Sequence, residues 1–326
     1  MILALETSCD DTCAALVGED GTVHANVISS QEVHDRFGGV VPEIAARQHI
    51  ELLDAVVAEA FARAAVGVEA VSLVAATRGP GLVGALLVGF CAAKGFAAAR
   101  ELPFAAVDHL SGHVAAAYLA PARFEPPFLA LIASGGHTLL LDVPARGRPV
   151  GVLARTLDDA AGEAFDKGAR MLGLGYPGGA ALSRLAADGD PHSHEFPVGR
   201  GEDFSFAGLK TALLYRTREV DLGDRQVRAD LAAAYERAIV ETLVRRVARE
   251  LERSHAGRLA LGGGVAANAP LRARLAELGV ELFLPPAELC TDNAAMIASA
   301  ARDVEPLAYP DYLSLDVYAT GEGPLR

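Results

Sequence analysis

Apolar residues in this chain fall into short unbroken runs, separated by glycine, proline and small polar turns. The segments at 2–5, 14–17, 71–76, 104–107, 258–261 and 280–284, apolar apart from Ser72, Arg258 and Glu281, are rich in Val, Ile, Leu and Ala and too short for helices, which predicts buried strands. A turn at Asp20-Gly21 leads to a further strand. Between the runs the spacing becomes helical. After Pro42, residues Ile44, Leu52, Leu53, Val56, Val57, Ala60 and Phe61 fall largely on one face. Further helices are predicted from the turn at Gly84 to about residue 100, over 108–118, 159–172, 206–216 and 226–254, from about Asn268, and over 292–302. Strands alternating with helices predict an α/β protein whose mixed sheets carry helices on both faces.

The pattern also repeats. Residues 3–17 (LALETSCDDTCAALV) and 129–143 (LALIASGGHTLLLDV) share Leu3/Leu129, Ala4/Ala130, Leu5/Leu131, Ser8/Ser134, Thr12/Thr138 and Val17/Val143 at an offset of 126. This offset is too long for a solenoid. It predicts two related domains, each opening with a strand–turn–strand hairpin; chance likeness of two apolar hairpins is the plain alternative. The glycine and small-residue turns after Leu5, Ala76, Ile132 and Leu261 would lie at carboxyl ends of strands, where ligands of such sheets sit. Tight helix-on-strand packing is the competing use of those glycines.

Composition narrows the function. At 326 residues the chain suits two domains, and with 51% apolar but only 6% aromatic residues, Ala, Val and Leu must fill the interior. Its four cysteines form no CxxC pair, as expected of a reducing cytoplasm. No basic stretch precedes residues 2–5 and Glu6 ends them, so a signal peptide is not expected. The longest apolar run, 82–93, is broken by Gly84 and Gly89 and is too short for a bilayer, so no membrane partner is expected. A net charge of −13 argues against gripping nucleic acid with the whole surface. Arg245, Arg246, Arg249 and Arg253, with Arg272 and Arg274, could form a local basic patch or simply a solvated helix face.

Candidate chemistry concentrates in a few segments. His109 and His113 lie four apart on a predicted helix, so one face carries both imidazoles. A structural His pair is the plain alternative. A zincin would need Glu where Leu110 stands, which removes support for peptide hydrolysis. Asp292, in Cys290-Thr-Asp-Asn293, offers a third ligand or a helix N-cap. Two His and one carboxylate with open positions suit Fe(II), and also Zn(II). The metal would lie in the cleft between the halves. Ser134-Gly-Gly-His-Thr138 and Gly262-Gly-Gly264 could admit a nucleotide closely, but a Walker lysine motif is absent and neither fits GxGxxG. With the hairpin repeat they resemble the actin, Hsp70 and sugar-kinase fold, with a ligand cleft between two related domains.

A more specific resemblance runs from end to end. Glu6-Thr-Ser-Cys-Asp-Asp-Thr12, Gly38-Gly-Val-Val-Pro-Glu43, Arg78-Gly-Pro-Gly-Leu-Val-Gly84, His109-x-x-x-His113, Ser134-Gly-Gly-His-Thr138, Asp158-Asp-Ala-Ala-Gly-Glu-Ala-Phe-Asp-Lys167, Tyr176-Pro-Gly-Gly179, Asp203-Phe-Ser-Phe206, Gly208-Leu-Lys210 and Cys290-Thr-Asp-Asn293 are together similar to the motifs of the tRNA N6-adenosine threonylcarbamoyltransferase family, bacterial branch. This resemblance implies that His109, His113 and Asp292 hold one divalent metal per subunit, Fe(II) first and Zn(II) second. It implies that Ile132, Ala133, Ser134, Gly135, Gly136, Asp166, Gly179 and Asn268 bind substrate. It further implies transfer of a threonylcarbamoyl group from threonylcarbamoyl-AMP to N6 of the adenosine beside the anticodon, in tRNAs reading codons that begin with A, with a related partner lacking the His pair and a small ATPase. Domains are expected over 1–125 with 294–326 and over 126–293. Asp10 or Asp11 could take the amine proton, while Cys9 reads as a packed thiol. Ala269-Pro270 after Asn268 departs from the family's usual Arg and small polar residue. An ATPase or kinase on the same fold, or a non-catalytic scaffold, are the other readings.

Overall fold

Two five-stranded sheets share one topology. The first holds β1 (Ile2–Glu6), β2 (Asp11–Val17), β3 (Val23–Ser30), β4 (Leu73–Gly79) and β5 (Phe104–Asp108), in the order β3-β2-β1-β4-β5. The second holds β6 (Phe128–Ala133), β7 (Thr138–Val143), β8 (Gly151–Arg155), β9 (Arg258–Gly262) and β10 (Glu281–Phe283), in the order β10-β9-β6-β7-β8. Read in reverse, the second order is the first with each strand's number raised by five. β1 pairs parallel with β4 as β6 does with β9, and β2 pairs antiparallel with β3 as β7 does with β8. The sequence repeat is therefore a repeat of structure. The structure is a computed structural model and describes residues 1–319 except 38, 122, 176 and 177.

The helices are α1 (Pro42–Ala64), α2 (Val83–Ala99), α3 (His109–Ala115), α4 (Ala161–Met171), α5 (Gly178–Ala186), α6 (Ala207–Thr217), α7 (Arg225–Ser254), α8 (Ala269–Ala276), α9 (Ala287–Cys290) and α10 (Ala294–Ala301). Local chemistry sets their starts. Pro42 occupies the first turn of α1, where a missing N–H costs nothing. The Asp224 carboxylate accepts the Gln226 and Val227 amides at the head of α7. The expected helix over 108–118 is α3 followed by a tighter 3-10 turn, Ala116–Tyr118. Helix α5, strand β8 and the single turn α9 were not anticipated. The expected turn at 176–179 lies in part outside the described residues; Gly178 and Gly179 open α5.

By packing, the chain forms two units. Unit 1 comprises residues 1–126, 143–150 and those from 285 onward, and unit 2 comprises 127–142 and 151–284. In unit 1 every residue of β1 is buried, as a central strand covered on both faces requires. Phe104 of β5 meets the Phe90 ring edge-on at 5.3 Å and lies 5.3 Å from the ring of buried Tyr312. Each such fully buried ring contributes about 1.5–3 kcal/mol. Unit 2 is threaded by α7, whose buried Tyr235 hydroxyl donates to the Ala164 carbonyl at 3.0 Å. A Cβ at Gly168 would run into that ring, so α4 needs glycine there. Among the described residues no helix is long and apolar enough to cross a membrane.

Candidate active site

The carboxyl ends of β1 and β5, with the segment before α10, build a polar cluster in unit 1. Asp108 ends β5 and caps α3 by accepting the Ser111 amide at 3.0 Å, which fixes where the helix begins. His109 is therefore its first residue and His113 lies one turn later. Their rings stand nearly perpendicular with centroids 4.8 Å apart. Asp292 precedes α10, whose N-cap is Asn293, accepting the Met296 amide at 2.9 Å. Asp292 is thus not the helix cap, and its carboxylate turns to the imidazoles. Oδ1 lies 3.5 Å from His109 Nε2 and 3.3 Å from His113 Nε2. The three ligand atoms lie within 4.8 Å of one another. The expected site built from both halves is instead assembled within unit 1.

Two observations fit this cluster to a divalent ion. His113 is 2% exposed, yet neither ring nitrogen has a hydrogen-bond partner among the described residues, and an orphaned buried imidazole is costly unless something coordinates it. His109 also has a support that orients a ligand. Its Nδ1 faces Glu6 Oε2 at 3.1 Å and Ser8 Oγ at 3.2 Å, so when the ring is neutral Glu6 keeps the proton on Nδ1 and turns the Nε2 lone pair toward Asp292. Glu6 is fully buried and also accepts from the Ser8 amide and the Thr77 hydroxyl. Glu6 was the residue that sequence reasoning missed. Its signal was a glutamate ending a wholly buried strand, where an unpaired charge is rare.

Without an ion, the surrounding carboxylates favour the protonated His109 ring. Burial alone would lower the His109 pKa, but the Asp292 and Glu6 carboxylates raise it to about 9. Burial alone would raise Glu6, but the facing imidazole holds it below the ordinary range. Asp11 is raised to about 7, chiefly by burial and further by Asp292 and Asp10, against the Ser30 hydroxyl donating at 2.5 Å. Cys9 and Cys13 are pushed up by burial and neighbouring acids, so neither supplies a thiolate.

The other expected residues lie in unit 2. Ile132 and Ala133 are buried in β6, and Ser134, Gly135 and Gly136 form the turn at its carboxyl end. The turn is braced: the Ser134 amide donates to the His137 carbonyl at 2.8 Å, and the Gly162 amide at the head of α4 donates to the Ser134 carbonyl at 3.0 Å. A Cβ at Gly135 or Gly136 would meet open space. Gly263, at φ +84°, follows β9 at the same end of the sheet, and a Cβ there would strike the Ala133 backbone. The close approach that makes Gly263 a glycine is thus to β6. Asp166 Oδ1 accepts the Gly178 and Gly179 amides at 2.8 and 3.1 Å, tying α4 to the start of α5. Asn268 caps α8 through Leu271, and its amide nitrogen donates to Ser183 Oγ at 3.1 Å and Glu236 Oε1 at 2.7 Å.

Comparison with known proteins decides the family. The sequence model of the tRNA N6-adenosine threonylcarbamoyltransferase family matches residues 22–299. Curated relatives of that name from Anaeromyxobacter sp. (strain Fw109-5) and Bordetella petrii are 50% and 48% identical, covering 92% and 93% of this chain and 92% and 90% of theirs. The chain belongs to the tRNA N6-adenosine threonylcarbamoyltransferase family. Among solved structures, T. kodakarensis HypF matches 92% of this chain and 47% of its own at TM-score 0.61 and 15% identity. Component A of the Acidaminococcus fermentans (R)-2-hydroxyglutaryl-CoA dehydratase matches 93% and 95% at TM-score 0.56 and 15% identity. These two speak for the fold alone, the actin, Hsp70 and sugar-kinase type.

Several family motifs are structural in this chain. Asp158 accepts the Ser205 hydroxyl and the Phe206 amide at 2.6 and 2.7 Å, and Asp159 pairs with Lys167 at 2.7 Å and Lys210 at 3.0 Å. These bonds lock α4 to the start of α6. The arginine clusters are largely committed too. Arg246 is 4% exposed and donates to the Glu202 and Leu153 carbonyls and to Glu250, while Arg249 and Arg253 pair with Glu202.

Proposed function

We propose that this chain transfers a threonylcarbamoyl group from threonylcarbamoyl-AMP to N6 of the adenosine beside the anticodon in tRNA, releasing AMP. The observation that carries the reading is the His109–His113–Asp292 cluster with its orphaned buried imidazole, in a chain of this family. His109, His113 and Asp292 would hold one divalent ion, Fe(II) before Zn(II). When bound, such an ion supplies Lewis acidity toward a carbonyl or phosphate oxygen. Glu6 orients His109 for that task.

In unit 2, the open faces of Gly135 and Gly136 and the amide-rich start of α5 would bind the adenylate, with Asp166 and Asn268 holding the surrounding turns in shape. In the transfer, the N6 amine attacks the carbamoyl carbon, the carbon–oxygen bond to phosphate breaks, and AMP leaves with that electron pair. Asp11, titrating near neutrality beside the cluster, is suited to take the proton released by the amine; Asp10 is its neighbour in the same turn. No protein nucleophile is required, and the raised Cys9 thiol fits that.

The committed arginines and the −13 net charge leave little for gripping a polyanion alone, which supports work with partner subunits, namely a related chain lacking the His pair and a small ATPase, in the cytoplasm. Ile50 on α1 and Val83 and Leu87 on α2 are exposed apolar side chains suited to such a partner. The test is nucleoside mass spectrometry of unmodified tRNA incubated with threonylcarbamoyl-AMP, the metal-loaded chain and its partners. Modified adenosine is expected with the wild type and not with His113→Ala. ATP turnover by the chain without any tRNA modification would instead favour the ATPase reading.

A further inference from the structure

A cavity of about 470 Å³ lies wholly within unit 1, bounded by β5, α3, the end of α10, residues 143–150 and Tyr318. Its size is that of a site for one small ligand. Much of the wall is apolar, with Ala106, Val114, Val143 and Val304 in it. The charged groups of the lining are unequally answered. Asp108 accepts the Ser111 amide at 3.0 Å and the Tyr318 hydroxyl at 2.6 Å, and Asp303 pairs with Arg146 at 3.0 Å. The two arginines are less committed. Arg78 gives only its Nε, to the Asp316 carbonyl at 2.7 Å, and the exposed Arg148 side chain has no hydrogen bond or ion pair among the described residues. The Ser111 hydroxyl, on the α3 wall, is buried and also without a partner among them. With both carboxylates answered and two guanidinium groups open, the lining is short of acceptors, which suits an anion.

Two features point to RNA as that anion. The first is the pairing of cations with rings. The Arg78 guanidinium lies 5.9 Å from the centre of the Tyr318 ring, and that of Arg146 lies 4.8 Å from the centre of the Tyr118 ring. Arginine and aromatic rings around an apolar slot are how unpaired nucleotides are held, with the base inside and the phosphate on the cation. The second is place. Helix α3 turns His109 and His113 toward Asp292, and Ser111, Val114 and Ala115 toward the cavity, so the metal cluster and the cavity share one helix. A helix diameter of about 10–12 Å is spanned by about three stacked nucleotides. Arg246, Arg249 and Arg253 are tied to carbonyls and glutamates, whereas Arg78 and Arg148 are placed to meet a tRNA strand that reaches that cluster.

We propose that this cavity receives an unpaired nucleotide of the tRNA near the reacting adenosine, its base between the apolar walls and its phosphates on Arg78 and Arg148. This rests on the transfer proposed above, but its test needs binding only. Labelled unmodified tRNA is titrated by fluorescence anisotropy with the metal-loaded chain and its partner subunits, without threonylcarbamoyl-AMP, across a salt series. Each phosphate contact adds about 0.7–0.9 to the slope of log affinity against log salt. Arg148→Ala should weaken tRNA about fivefold or more at about 0.15 M salt and lower the slope by about 0.7–0.9. Adding Arg78→Ala should lower it by about 1.4–1.8 in all, and Arg148→Lys should restore it. Val150→Trp, which fills the cavity, should weaken tRNA with the slope unchanged, because it displaces a base and no phosphate. Metal content and threonylcarbamoyl-AMP binding should match the wild type throughout. Arg148 has no partner among the described residues, so its variants do not put the fold at stake, and wild-type affinity and slope in Arg148→Ala would overturn the proposal. Unchanged tRNA affinity in Val150→Trp would overturn the seating of a base. Loss of AMP binding in Arg148→Ala with tRNA binding unchanged would overturn the proposal by giving the site to a free phosphate ester. Weaker tRNA binding that accompanies loss of a partner subunit on size-exclusion chromatography would overturn it by giving the surface to that partner. Unchanged tRNA binding by variants of a complex that modifies tRNA would leave the transfer reading standing. The expected slopes in a complex that never forms the modified adenosine would overturn the transfer reading alone.

Discussion

Glu6→Gln isolates the orienting of His109 from the coordination itself. The carboxylate receives three donors: the Ser8 amide on Oε1, and the Thr77 hydroxyl and His109 Nδ1 on Oε2. Glutamine keeps the shape but has a single acceptor oxygen. If that oxygen serves Thr77 and His109, the side-chain NH2 confronts the Ser8 amide; if it serves Ser8, the NH2 confronts the other two. One to two buried donors therefore lose their acceptor, at about 1–3 kcal/mol each. The negative charge that polarises the imidazole is lost in either arrangement. Loss of such a supporting partner weakens metal affinity by about 10–100-fold, or about 1.4–2.7 kcal/mol.

The assay is chelator competition with Zn(II), and with Fe(II) under anaerobic conditions, alongside urea unfolding of the metal-free chain. Glu6→Gln should bind metal at least tenfold more weakly. Thr77→Val, which removes one donor but leaves the carboxylate on His109, should stay within about threefold of the wild type. If Glu6→Gln unfolded earlier yet bound metal as the wild type does, Glu6 would be support for the strand end only. The orientation argument for His109 would then be refuted.

Three further outcomes follow from the same geometry. With the folded His109 raised to about 9 above its ordinary 6.5, its contribution to metal-free stability is complete below 6.5 and is lost as pH rises through about 9, so the stability gap between wild type and His109→Gln should shrink over that window in urea titrations; metal affinity should rise over the same window as the competing proton leaves. Gly136→Val should leave thermal stability within about 0.5 kcal/mol but weaken AMP binding, whereas Gly263→Val should destabilise by more than about 1 kcal/mol even without ligand, because its φ of +84° and the Ala133 backbone both oppose a side chain. Arg246→Ala should cost about 3–5 kcal/mol by stranding the buried Glu250, while Arg245→Ala, half exposed and 3.6 Å from Glu241, should stay within about 0.5 kcal/mol, and equal losses in calorimetry would contradict this assignment.

What the sequence made legible follows physical period and polarity. The strands β1, β4, β6 and β9 were visible because central strands buried on both faces are unbroken apolar runs. The His109–His113 pair was visible because a four-residue spacing places both rings on one helix face, whereas Asp292 was a candidate only through the Cys290–Asn293 segment. Strand β8 was hidden because it is mostly exposed, so no buried face imposed a period on it. Helix α5 was hidden behind glycines that ordinarily mark a turn; Asp166 makes them a helix start by accepting two amides from twelve and thirteen residues away. The arginines misled for the same reason. Whether Arg246 faces water or two carbonyls and a glutamate is decided by α7 packing near Leu153 and Glu202, contacts ninety-three and forty-four residues distant that no local pattern records.

The duplicated frame explains why the chemistry divides as it does. Equivalent strands end in equivalent places, but the residues there differ in kind. After β1 the chain gives Glu6 and Ser8, which turn back on His109 after β5; after β6 it gives Ser134, Gly135 and Gly136, which leave their faces open. Each end is specialised by what its neighbours can support. A buried glutamate is tolerable at β1 because Ser8, Thr77 and His109 all donate to it, whereas the corresponding end of β6 carries the buried, apolar Ile132 and the close-packed Gly263 can bring no side chain to it. The same strand ends thus gather two imidazoles and a carboxylate in the first unit and leave open glycine faces in the second.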